Sequence, residues 1–213
     1  FLASTGLYAK RMVVDIMSYL KLLDNYHESS ALYRILTLRV LGIPYEDVVL
    51  LSHYARRKGI SLYEACTHAA LVGMGPPAQS KIATLLMRIA THSASAQSNR
   101  VGTVIFQFLE DFGYLKALTQ EAEHGVTNAV LEMAILRQFL NKVETFEGAE
   151  VDASVRHFVE RSDLLLEAGD EGALGSNLDE GPDTVRVLTV HGAKGLEFRY
   201  VFIMHMVDLR FPS

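Results

Sequence analysis

From Leu7 to Ala168 the apolar residues recur every three or four positions, and the runs are punctuated by glycine, proline or capping residues. That spacing lines one face of a 3.6-residue turn, so a chain written this way folds as helix after helix. Leu7 to Asp24 sets Met12, Ile16, Tyr19, Leu20 and Leu23 on one face. Ser30 is placed to cap a second helix holding Leu32, Ile35, Leu36 and Val40, which ends at Gly42. Pro44 opens a third as its first residue, with Glu46 and Asp47 at the positive end of the dipole. Arg56, Arg57 and Lys58 close it before Gly59, and Ser61 with Glu64 forms a capping box for a fourth. After the break at Gly73–Pro77, helices are expected over 78–94, 101–112, 114–123, 126–146 and 151–168, with a polar connector over 93–99.

The pattern changes at Gly169. Residues 169–183 are rich in Gly, Asp, Glu, Ser and Asn and read as a mobile loop. Thr184 to Val190 alternates like a β-strand, and Tyr200 to Met204 is continuously apolar like a strand buried in a parallel sheet. Two strands cannot make a stable sheet alone, so their partners are expected in further sequence. The fold class is therefore mainly α, a multi-helix domain with a short C-terminal β segment. A chain that starts at Phe1 also reads as a piece of something longer.

Composition removes several function classes. A single cysteine among 213 residues leaves no intrachain disulfide, and without a C-x-x-C pair there is no thiolate zinc finger. The dispersed histidines offer no metal-binding spacing, so no metal site is expected. No apolar run is long enough for a membrane span, and the lone thiol fits a reducing, cytoplasmic setting. Cys66, on an amphipathic helix, is expected to be packed and unreactive. Nine tyrosines and ten phenylalanines fall mostly at inward positions and suit a core better than a base-stacking platform.

The net charge of −5 hides an asymmetry. Residues 1–100 carry 11 basic against 6 acidic side chains, and residues 101–213 carry 9 against 19. The first part is thus the better partner for nucleic acid. The acidic stretch Glu144–Asp183 is read as a solvated helix face and loop. The densest basic cluster is Arg56-Arg57-Lys58, beside His53 and Tyr54; it can hold duplex phosphates or simply face the helix dipole. Lys10, Arg11, Arg34 and Arg39 are further candidates for the same positive side.

One segment has the form of a ligand turn. In Leu188-Thr-Val-His-Gly-Ala-Lys-Gly-Leu-Glu-Phe198 a strand delivers Thr189, His191, Lys194 and Glu197 into a turn of small residues. Gly192 and Gly195 allow close backbone approach to a phosphate or sugar. It is not a Walker A loop, since no G-x-x-x-x-G-K-S/T run occurs in the chain.

The ten positions Thr189 to Phe198 resemble motif V of superfamily 1 DNA helicases of the UvrD/Rep/PcrA type, and the later Phe211-Pro-Ser agrees. Ile16 to Leu23 and Gly59 to Ala65 resemble, more loosely, segments of the helical accessory domain, called 2B, that is inserted into the second motor domain of these enzymes. The resemblance implies that residues 1–178 are the accessory domain and that 179–213 are a linker and motif V returning to a RecA-like α/β motor domain. It implies a parent enzyme that is an ATP-dependent 3′→5′ DNA helicase in repair or replication, using ATP and Mg²⁺. The Walker motifs and motif VI are absent from this chain, so it is expected to bind neither ATP nor Mg²⁺ alone and to carry no catalytic residue.

Carried over by resemblance, Glu197 accepts a hydrogen bond from the ATP ribose, Gly195 and Leu196 shape the turn, and Lys194 lies near the phosphates or braces the turn. Thr189 and His191 lie along single-stranded DNA. The family's Gly-Ile-Gly turn, which grips duplex phosphates through backbone N–H groups, is replaced here by Leu41-Gly-Ile-Pro-Tyr-Glu-Asp47. Proline removes one donor and two carboxylates occupy the helix start, which weakens that contact. The alternatives are a module that docks a repair or transcription protein, and a part of a helicase-nuclease recombination subunit.

Overall fold

The computed structural model describes residues 6–123, 127–170, 172 and 200–202. The helices among them are α1 (Arg11–Asp24), α2 (Ser29–Leu36), α3 (Tyr45–Lys58), α4 (Leu62–Thr67), α5 (Pro76–Ala96), α6 (Val101–Asp111), α7 (Tyr114–Glu123), α8 (Thr127–Ala149) and α9 (Val155–Glu167). Short 3-10 turns lie at Leu7–Ala9, Arg39–Leu41 and Ala69–Leu71. No strand occurs among the described residues, so the chain is mainly α there.

The chain divides into two compact units, Phe1–Asp179 and Glu180–Ser213. In the second, the described residues Tyr200, Val201 and Phe202 are exposed and not in a strand. The strand expected over 200–204 is therefore not formed at these three positions; no described residue offers them a ladder partner.

In the first unit α1 is the hub. It packs against α2, α5, α6, α8 and α9. Its sequence suggested a single apolar face, but Val13, Met17 and Leu22 are buried as well as Met12, Ile16, Tyr19, Leu20 and Leu23. A helix surrounded on several sides must be apolar on several sides. Tyr19 is fully buried, stacked on Phe108 at 4.4 Å and edge-on to Phe112 at 5.2 Å. A second aromatic cluster joins Tyr8, Phe139, Phe146 and Phe158, tying the first turn to α8 and α9.

Helix ends depart from expectation for local reasons. Ser30 does not cap α2: Glu28 is the N-cap, and the Ser30 hydroxyl donates to its carboxylate at 2.9 Å. Ser29 instead accepts the Leu62 N–H, at 3.1 Å, and so fastens the start of α2 to the start of α4. The second helix stops at Leu36, not at Gly42, because the Thr37 hydroxyl bonds back to the Arg34 carbonyl and the chain turns. Pro44 stands one place before the first helical residue of α3. The last helix begins at Val155, later than expected, because Ser154 accepts the His157 N–H and caps it there. The connector expected over 93–99 is helical as far as Ala96.

Most of the loop expected over 169–183 lies outside the described residues. Where it is described it is held in place. The Leu7 N–H donates to the Gly172 carbonyl at 2.9 Å, and the Gly172 N–H donates to Asp170. Gly172 has φ +74°, and a Cβ there would lie 3.1 Å from the Tyr8 ring, so only glycine fits.

Candidate nucleic-acid interface

The basic end of α3 is presented by a tight corner. Asp47, Val48, Leu51 and Ala55 face inward and leave the opposite side of the helix to solvent. Gly59 adopts φ +65° and ends the helix, and the Ile60 N–H reaches back to the Ala55 carbonyl at 3.1 Å. Ser61 and Glu64 then close the expected capping box: Ser61 Oγ accepts the Glu64 N–H, and Glu64 Oε2 accepts the Ser61 N–H at 2.8 Å. These bonds, the backbone one foremost, hold the Glu64 carboxyl below its usual range.

Arg56, Arg57 and Lys58 are exposed at this corner. None of them forms an ion pair with a described residue. His53 is exposed one turn earlier. Tyr54 is half-buried and its ring lies 6.4 Å from that of His68, just past the end of α4, so it belongs to the packing of the corner.

The turn before α3 has a different character. Gly42 is left-handed at φ +57°, and its carbonyl accepts a hydrogen bond from Lys81 Nζ. Pro44 offers no N–H, and Glu46 and Asp47 occupy the first turn. This arrangement does not suit an anion.

Of the other basic candidates, Arg34 is committed. Its Nε donates to Asp15 Oδ1 at 2.6 Å, and its Nη2 donates to the Arg11 carbonyl at 3.1 Å. Tyr114 donates to the other Asp15 oxygen, also at 2.6 Å. Burial first, then the Asp15 carboxylate, pushes the Tyr114 hydroxyl pKa up. Arg11 and Arg39 are exposed and line one small cleft with Tyr114.

Sequence reasoning missed this polar hub and a second one at His92. His92 is buried between the Tyr19 hydroxyl, 2.6 Å from Nδ1, and Asp111, 2.8 Å from Nε2. The signal was present: Asp15 sits inside an apolar run, and His92 falls three residues after the inward Ile89. A charged or polar residue at an inward position requires a partner. A separate apolar groove of about 260 Å³ lies between α7 and α8, lined by Leu115, Leu118, Met133, Leu136 and Leu140.

Cys66 is buried, as expected, and burial pushes its thiol up to about 12. No helix among the described residues is long and apolar enough to cross a membrane. Thr189, His191, Lys194, Gly195, Leu196 and Glu197 lie outside the described residues.

The family model for the UvrD-like helicase C-terminal domain matches residues 1–213. The chain is 26% identical over 208 residues to an ATP-dependent DNA helicase PcrA of Staphylococcus aureus, across 96% of this chain and 27% of that one. It is 25% identical over 210 residues to the ATP-dependent DNA helicase PcrA of Bacillus subtilis, covering 98% and 28% of the two chains. DNA helicase II of Escherichia coli is 28% identical over 218 residues, covering 97% and 28%. The chain thus spans little more than a quarter of the length of these relatives.

Proposed function

Since this chain belongs to the UvrD-like helicase C-terminal domain family, we propose that it is the DNA-contacting accessory part of an ATP-dependent helicase that moves 3′→5′ on single strands in repair or replication. On this reading residues 1–178 are the accessory domain, and 179–213 return to the second motor domain. Thr189 and His191 then contact single-stranded DNA, while Lys194, Gly195, Leu196 and Glu197 border the nucleotide. ATP and Mg²⁺ serve the parent enzyme, whose nucleotide-hydrolysing motifs are not in this sequence.

The observation that carries the reading is the exposed Arg56-Arg57-Lys58 corner, three cations without a carboxylate partner among the described residues. Such a cluster lies open to successive phosphates of a duplex, and its binding falls with salt as counterions are recaptured. The test is fluorescence anisotropy on a duplex with a 3′ single-stranded tail across a salt series. Binding that weakens steeply with salt, and that Arg56→Ala/Arg57→Ala reduces, is the expected result. No binding at low salt would sink the reading. A second reading, docking of a protein partner, draws on the apolar groove between α7 and α8, where Met133 is 44% exposed.

A further inference from the structure

We infer that the cleft between the start of α1, the Arg39–Leu41 turn and α7 binds a phosphate group, clamped by Arg11 and Arg39. Two arginines from distant parts of the sequence converge on one cleft of about 90 Å³. Like charges brought together this way oppose folding unless something compensates them.

The carboxylates in the cleft do not do so fully. Asp15, at its floor, has both oxygens engaged, one by Arg34 and one by the Tyr114 hydroxyl. Its charge is offset by Arg34, which lies beside the cleft. Glu121, on α7, is the remaining acid lining the cleft. Against it stand Arg11 and Arg39, neither in an ion pair with a described residue. The two guanidinium groups therefore stand at its rim with no ion-pair partner among the described residues, and Glu132 on α8, which also acts on Tyr114, offsets part of their charge. Guanidinium groups have the planar fork that matches phosphate oxygens in pairs, which a lysine pair would lack. The part-buried Asp15–Arg34–Tyr114 network ties α1, α2 and α7 together beneath them, so the clamp stands on a fixed base.

The phosphate can come from a nucleic-acid backbone or be free. The backbone source rests on the DNA reading above and makes this cleft a contact separate from the Arg56-Arg57-Lys58 corner. The free source does not depend on that reading.

The experiment has two arms on the 213-residue chain, with wild type and Arg11→Gln/Arg39→Gln compared in each. In the first, duplex affinity is followed across a salt series. One backbone phosphate lost from the contact should lower the salt slope by about 0.9 and weaken low-salt binding roughly tenfold. In the second, inorganic phosphate is titrated while the arginine Nε–H resonances are followed by NMR, with those of Arg11 and Arg39 assigned from single variants. The expected result is saturable shifts confined to these two side chains and absent from the double variant.

A changed salt slope supports the backbone source. Phosphate shifts with an unchanged slope, or with no duplex binding at all, support the cleft with a free ligand, and in the second case the DNA reading alone falls. An unchanged slope together with no saturable shift at Arg11 or Arg39 overturns the proposal. Arg11 and Arg39 are exposed, so the double variant should keep the wild-type far-UV spectrum, and relief of their repulsion should leave the melting temperature equal to or slightly above that of wild type. Arg11→Lys/Arg39→Lys should keep the salt slope but lose affinity, because the charge remains while the fork is gone.

Discussion

Removing Arg34 should destabilise the protein more than removing the carboxylate it binds. Asp15 is the buried member of the pair, its side chain 3% exposed against 36% for Arg34. Arg34→Gln leaves that carboxylate in the interior with only the Tyr114 hydroxyl as a charge-stabilising donor. Stranding a buried charge costs about 3–5 kcal/mol. Asp15→Asn has a smaller effect, because the guanidinium can turn to water and the amide oxygen can still accept one of the two bonds. Hydrogen bonds to charged groups contribute about 1.5–3 kcal/mol each, and solvent screening of the exposed partner lowers the net loss to about 1–2 kcal/mol. The double variant Asp15→Asn/Arg34→Gln should then be more stable than Arg34→Gln alone. Urea unfolding followed by far-UV circular dichroism measures all three, which matters in a chain without tryptophan. In melting temperature Arg34→Gln should lose on the order of 10 °C. Equal losses for the two single variants, with a double variant that is their simple sum, would refute the reasoning, since the pair would then carry no coupling.

Two more outcomes follow from the packing. Burial pushes the Cys66 thiol from its ordinary 9.0 to about 12, so native protein at pH 8 should react with iodoacetamide roughly a thousandfold more slowly than urea-unfolded protein; mass spectrometry of the alkylated chain reads the ratio, and a ratio under ten contradicts the burial. The carboxyls of Glu64, in the α4 capping box, and Asp152, in the turn before α9, are both held below their ordinary values, each chiefly by a backbone hydrogen bond. A carboxyl depressed in the folded state contributes stability above its unfolded pKa, and that contribution fades as pH falls through the folded one. The melting temperature should therefore begin to drop below about pH 4.5, and Glu64→Gln/Asp152→Asn should flatten that acid limb; a variant that keeps the full wild-type slope shows the acid loss to arise elsewhere.

The elements were legible in this sequence where the signals were local. The capping box at Ser61 and Glu64, the glycine stop at Gly59 and the helix over 114–123 all stand where spacing and capping rules put them. These depend on residues within one turn of each other, and short-range chemistry decides them. The centrality of α1 was not legible, because one apolar stripe predicts one buried face and says nothing about how many neighbours will come. The early end of α2 was missed for a related reason. Thr37 can continue a helix or bond back to it, and the burial of Leu38 beyond the break goes with the second choice. At the candidate site, the Arg56-Arg57-Lys58 cluster is contiguous and was visible at once. The Arg11 and Arg39 cleft joins residues 28 positions apart, and its status depends on Arg34 taking Asp15, a choice that only packing makes.

A net charge of −5 gives no argument against a nucleic-acid surface on this molecule, because the cations at the end of α3 have no ion-pair partner among the described residues. In α9 and its surroundings several of the charges are paired among themselves. Lys21 meets Asp163 at 2.8 Å, Arg161 meets Glu150 at 3.0 Å, and Arg156 lies within reach of both Asp24 and Glu160. Glu147 is taken up by the Gly102 N–H and its carbonyl by Arg100, so it serves the junction of α6 and α8. These pairs present little net field beyond their own neighbourhood. Salt at cellular strength screens exposed charges over about 8 Å, so an approaching phosphate responds to the nearest side chains and not to the total. At the end of α3 those side chains are Arg56, Arg57 and Lys58, without a described counter-ion within ion-pair distance. The same reasoning makes the Gly42–Asp47 turn the weaker place for a phosphate, despite its glycine. Lys81 there is held by a carbonyl, and the free charges at the helix start are negative. Of the two ends of α3, local charge favours the far one as a DNA contact over the Gly42–Asp47 turn, and the Arg11–Arg39 cleft is a separate place with its own charge.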